Sequence, residues 1–192
     1  MQEIKFTTTT NYQIFKDYWM FSLFEKKGPS GKMNAFAKFV TVLCILVGIA
    51  VVLIICNYAL LDNAMGVVPV ILLGAVAAAF ASCYITVTRT QPKRQYKTIK
   101  EAVENPQKYT FSDTQMQVRE YDAEEERETL AEFRYDDLAY IYETPKAFYL
   151  FISDMNAFLI PKEQLTDISP SEFAAFLKEK TKERYLKSKK CA

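Results

Sequence analysis

The sequence predicts a two-helix transmembrane hairpin joined to an α+β cytoplasmic domain, a curled antiparallel sheet capped by a C-terminal helix. Three observations carry this. From Phe39 to Thr88, fifty consecutive residues hold one charged side chain, Asp62, while the remainder of the 192 residues hold 46. From Lys108 onward the apolar period becomes two, the mark of strands with one face buried. Near the end, Ser169-Pro170-Ser171-Glu172 spells the start of a helix. A soluble domain does not sort its charges this way, so a purely soluble protein is excluded.

Residues 1–38 form an N-terminal cytoplasmic segment. Ile4 to Thr10 is short and β-branched and reads as a strand. Tyr12 to Phe24 reads as a helix whose aromatics, Tyr12, Phe15, Tyr18, Trp19, Phe21 and Phe24, wrap nearly its whole circumference. Two placements suit that composition: a helix at the cytoplasmic surface wedged between bilayer and protein, where Trp and Tyr favour the headgroups, or one packed on the downstream domain. Gly28-Pro29-Ser30-Gly31 breaks the chain before the apolar block. No basic stretch followed by an apolar core stands at the start, so no cleavable signal peptide is expected and the first span directs insertion.

The apolar block divides at Leu61-Asp62-Asn63. Residues 39–61 and 64–88 would run about 34 and 37 Å as helices, against a hydrocarbon core of about 30 Å. Lys26, Lys27, Lys32 and Lys38 precede the hairpin, and Arg89, Lys93, Arg94, Lys97 and Lys100 follow it, while the connecting loop has no Lys or Arg. The positive-inside rule therefore places both termini in the cytoplasm. In the second span Gly74, Ala78 and Ser82 form a small-residue face for helix–helix packing, either on the first span or on a second copy of the chain. Pro69 is a candidate kink.

Residues 89–107 read as a basic linker and 108–192 as the cytoplasmic domain. Its strands are expected at Lys108–Ser112, Gln115–Tyr121, Glu128–Phe133, Leu138–Tyr142, Phe148–Ile152 and Ala157–Ile160, joined by turn-forming residues such as Asp136-Asp137 and Thr144-Pro145. Phe173, Phe176 and Leu177 of the final helix would seal one end of the sheet. Beyond them the chain turns polar and basic.

Several of these features occur together in a known family. The hairpin, the strands, Phe148-Tyr149-Leu150-Phe151-Ile152, Phe158-Leu159-Ile160-Pro161-Lys162 and the capped terminal helix resemble the YcxB-like proteins of bacteria. The sequence-specific part of the resemblance runs from about Glu126 to Leu177. Phe133-Arg134-Tyr135 departs from it where the family more often has a Trp. The resemblance implies a small domain similar to a pleckstrin-homology fold and brings no catalytic residues.

Chemistry is sparse. With no histidine, imidazole catalysis and His-ligated metal sites are excluded, and the four cysteines show no metal-ligand spacing. Asp136, Asp137 and Glu143 are the carboxylates that acid–base work or magnesium would need, but Asp-Asp at a strand boundary is a turn first. The cluster Asp122 to Glu128 reads as a solvated hairpin tip. No enzyme activity, cofactor or metal is expected. Residues 101–177 carry 6 basic and 17 acidic groups, which argues against nucleic acid. The flanking basic segments suit an anionic inner leaflet. Trp19, Lys26, Lys27, Arg89, Lys93, Arg94 and Lys97 are the candidate membrane-surface contacts. The expected function is a cell-membrane-anchored, non-enzymatic interaction or regulatory protein whose domain meets a protein or peptide. The alternative is an accessory or small oligomeric component of a transport system.

Overall fold

The computed structural model describes residues 3–26, 35–60, 67–122, 127–154 and 156–188. Two of its helices, α2 (Ala35–Leu60) and α3 (Val68–Ile85), are apolar and long enough to cross a membrane. Val40, Leu43, Val47, Ala50 and Ile54 recur in α2 as partly shielded positions, as do Leu73 and Phe80 in α3, and the two helices are in contact. Elsewhere their aliphatic side chains are exposed, Leu53 by 64 % and Ile71 by 66 %. The expected turn at Asp62-Asn63 lies outside the described residues. Pro69 stands in the first turn of α3, where its missing N–H has no intrahelical partner to lose, so it starts the helix and does not kink it.

The segment expected as a basic linker is helical. α3 passes without interruption into a π-helical turn at Thr86–Thr90 and then into α4 (Gln91–Glu104). α4 is amphipathic: Pro92 and Tyr96 are buried on one side, while Lys93, Arg94 and Lys97 are exposed, as is Arg89 in the turn before it.

The remaining elements form two four-stranded sheets where one curled antiparallel sheet was expected. The first is a meander of β1 (Ile4–Thr8), β2 (Gln107–Phe111), β3 (Gln115–Asp122) and β4 (Arg127–Arg134), with Ile4 opposite Phe111 and Met116 opposite Phe133. The N-terminal strand thus belongs to the same domain as the C-terminal region. The second sheet has the order β7-β6-β5-β8, built from β5 (Tyr140–Glu143), β6 (Ala147–Phe151), β7 (Ala157–Pro161) and β8 (Tyr185–Lys187). β8 runs parallel to β5, with Tyr185 opposite Ile141. Residues 123–126, within the expected hairpin tip, lie outside the described residues.

The main core lies between the sheets and under α5 (Pro170–Thr181). Phe173 is fully buried and meets Phe6, Phe111 and Phe148 edge-on at 5.0–5.4 Å between ring centroids. The start of α5 follows its sequence: the Ser169 hydroxyl accepts from the Glu172 amide, and Glu172 accepts from the Ser169 amide. β5 and β6 are buried on both faces. Ile141, Phe148 and Leu150 face the main core, whereas Tyr140, Tyr142, Tyr149 and Phe151 face a second cluster that includes Phe21 of α1 (Tyr12–Phe24).

Candidate functional site

Helix α1 starts at Asn11, whose side chain accepts from the Ile14 amide, and it is held on two sides. Toward the second sheet, Phe21 lies 4.9 Å from Tyr142 and 5.0 Å from Tyr149, and Tyr18 lies 5.3 Å from Tyr149. Toward α4, Tyr12 and Phe15 lie 5.4 and 5.7 Å from Tyr96. This explains the aromatic circumference of α1, which packs on the second sheet and on α4. Further along α4, the Tyr96 hydroxyl donates to Glu104 at 2.5 Å, and the Thr10 amide donates to the Val103 carbonyl at 3.0 Å. Burial, with the Glu104 carboxylate beside it, pushes Tyr96 up to about 12.

The candidate membrane-surface residues separate into three groups. Trp19 is half-buried and donates its indole N–H to the Val87 carbonyl at 3.0 Å, so its polar tip is taken by the protein main chain. Lys26 folds back onto the domain: its ammonium lies 4.5 Å from the Phe151 ring centre and donates to the Asp154 carbonyl. Burial lowers its pKa, opposed by the Asp154 charge. Lys27 lies outside the described residues. Arg89, Lys93, Arg94 and Lys97 are exposed and, among the described residues, have no ion-pair partner. They form an exposed cationic stretch from the π-helical turn into α4. Opposite charges would be drawn to it, and at this level of exposure the attraction is salt-sensitive.

The small-residue face is open in this structure. Gly74, Ala78 and Ser82 are exposed, and a Cβ built on Gly74 would touch nothing within 4 Å. Leu73 and Phe80, by contrast, are partly shielded.

The carboxylates weighed for chemistry are held structurally. Asp137 accepts from the Arg134 amide at 2.9 Å, and Asp136 pairs with Arg184 at 2.9 Å. Glu143 is buried and receives Lys162 at 2.7 Å, the Tyr185 hydroxyl at 2.8 Å and Lys187 at 3.4 Å. Burial is the largest influence on it and acts upward; the donors together outweigh it and hold the carboxyl below its usual range. These contacts tie β5, β7 and β8 together at one end of the second sheet. A cleft of about 430 Å³ opens nearby between α1 and the β5–β6 turn, lined by Ile14, Asp17, Lys146, Tyr149 and Lys162, with Asp17 and Lys146 paired across it at 2.9 Å.

Sequence reasoning missed Pro92. A proline within the basic segment Arg89–Lys100 signals an irregularity in whatever helix crosses it, and the π-helical turn lies immediately before it. Pro92 has no N–H to give to Val87, five residues back, which is the carbonyl that Trp19 serves.

Sheets, a capped helix and two helices apolar and long enough to cross a membrane make up a chain with a small α+β domain whose covered face is aromatic. The family model described as YcxB-like protein matches residues 120–177, from β3 to Leu177 of α5. The chain carries a YcxB-like domain. No curated protein and no solved structure matches it.

Proposed function

We propose that this chain is a membrane-anchored, non-enzymatic interaction or regulatory module: α2 and α3 span the cell membrane and hold a PH-like domain at its inner face. The observation that carries this reading is the unbroken path from α3 through the π-helical turn into α4, with α1 packed between α4 and the second sheet. Such a path fixes the domain against the end of the hairpin instead of leaving it on a flexible tether. Arg89, Lys93, Arg94 and Lys97 then stand just beyond the apolar stretch, where anionic headgroups attract each basic residue by about 1 kcal/mol. The strongly acidic region 101–177 is left to the cytosol and to a protein or peptide partner.

Topology is the test. A cysteine reagent too polar to cross the membrane is expected, in intact cells, to label a cysteine placed at Asn63 and to miss Cys191. Nine basic residues flank the hairpin and none lies in its loop. Labelling of Cys191 in unbroken cells with the Asn63 site protected overturns the orientation and the cytoplasmic partner with it.

A second reading, an oligomeric component of a transport system, draws on the exposed face of Gly74, Ala78 and Ser82. Single cysteines along α3, in a background lacking native ones, would cross-link with helical periodicity through Gly74 and Ala78. A monomer at every position removes that reading.

A further inference from the structure

The contact between Trp19 and Val87 lies where the two halves of the molecule join, and three features meet there. The helix from α3 to α4 departs from α geometry only at Thr86–Thr90, where the Gln91 amide reaches back five residues to the Thr86 carbonyl. Pro92 follows and withholds the next main-chain donor in that pattern, the one Val87 would receive. Trp19, from a helix 68 residues earlier, delivers an indole N–H to that carbonyl at 3.0 Å. Thr88 is buried in the same turn and donates its hydroxyl to the Tyr84 carbonyl at 2.7 Å.

We infer that Trp19 is a clasp that makes α3 and the domain one mechanical unit, and that the π-helical turn is the element through which movement of α1 on the second sheet is passed to the apolar helix. The path is continuous. Phe21 and Tyr18 engage Tyr142, Tyr149 and Phe151 of the sheet. Trp19, between them in sequence, engages Val87, and Phe15 and Tyr12 hold Tyr96 one level above. The turn also has an α-helical alternative. A π turn holds one residue more than an α turn, so closing it to α geometry rotates one flank against the other by about 100°. Trp19 stabilises the π form by serving its carbonyl. Lifting α1 from the sheet withdraws the indole and releases the turn. The inference goes beyond anchoring and holds whichever way the hairpin lies.

The full chain in nanodiscs tests it, with spin labels at Cys83 in α3 and at a cysteine replacing exposed Glu163, the other cysteines removed. The intact clasp is expected to give one narrow distance distribution. Trp19→Phe, which keeps a ring and removes the N–H, is expected to broaden it severalfold. Pro92→Ala, which restores a main-chain donor, is expected to move its mean. Phe21→Leu, at the sheet end of α1, is expected to shift the distance with Trp19 present and to shift it less in the Trp19→Phe background. Unchanged distributions in Trp19→Phe and Pro92→Ala, or equal Phe21→Leu shifts in both backgrounds, overturn the inference. Trp19 is the sole tryptophan, so its indole N–H resonance gives a check without any substitution. Slow exchange with solvent supports the clasp, and exchange at the rate of a free indole refutes it.

Discussion

Lys182 holds φ 50°, ψ −114° at the end of α5, a conformation suited to glycine because it has no Cβ. Its amide caps the helix by donating to the Lys178 carbonyl, so the strain is retained for a tight exit into β8. Lys182→Gly is therefore expected to raise stability by about 1 kcal/mol, read as a higher unfolding midpoint in denaturant. Glu143 gives a prediction in pH. Its folded pKa lies below the unfolded value, so its stabilisation is complete above the unfolded pKa of about 4.3 and is lost as pH falls through the folded one. Wild type should exceed Glu143→Gln in stability at pH 7, and the gap should close as the pH is lowered past 4. A gap that is constant with pH would contradict this. Trp19 shows what a single residue hides from sequence reading. An indole beside an apolar block has the same composition whether its N–H meets a headgroup or a carbonyl, and only the position of Pro92 hinted at the second.

At the scale of elements, legibility followed how local the cause was. The start of α5 was readable because its cap is made by residues three apart, and β2, β3 and β4 because alternation is a property of neighbours. β8 was not: Tyr185-Leu186-Lys187 sits in a basic tail, and it is placed by Arg184, which donates to the Asp136 and Leu138 carbonyls at 2.9 and 2.8 Å. β5 and β6 did carry a signal. Tyr140-Ile141-Tyr142 and Ala147 to Phe151 are apolar without alternation, as strands covered on both faces are, and the cover is α1. Packing in the main core makes α5 costly to weaken. Phe173→Ala is expected to lose about 3–5 kcal/mol, measured by denaturant unfolding of the detergent-solubilised chain, because four rings close on it and cannot all collapse into the space.

For the whole molecule, the apolar hairpin and the mixed α+β domain were legible from charge partition and period. The joining of N-terminal segment, helical linker and domain was not, because it depends on which surfaces meet. The candidate site shows the same division. The cationic stretch of Arg89, Lys93, Arg94 and Lys97 was readable by composition, whereas Lys26, equally basic, is spent on Phe151 and Asp154. Which lysines remain outside is a result of folding, and the basic run alone does not distinguish them.

The pairing of β1 with β2 sets the order in which this molecule can be completed. β1 leaves the ribosome before α2 and α3, and its partner leaves after them, so Ile4 waits for Phe111 while the whole hairpin is synthesised. Until β1 pairs with it, β2 presents an open edge, and an open edge invites pairing with other chains. The first sheet therefore closes only after both apolar helices have found a place that lets the chain return. A nascent chain whose hairpin is misplaced keeps that edge exposed, and its failure becomes visible to proteases and chaperones as a domain that never closes.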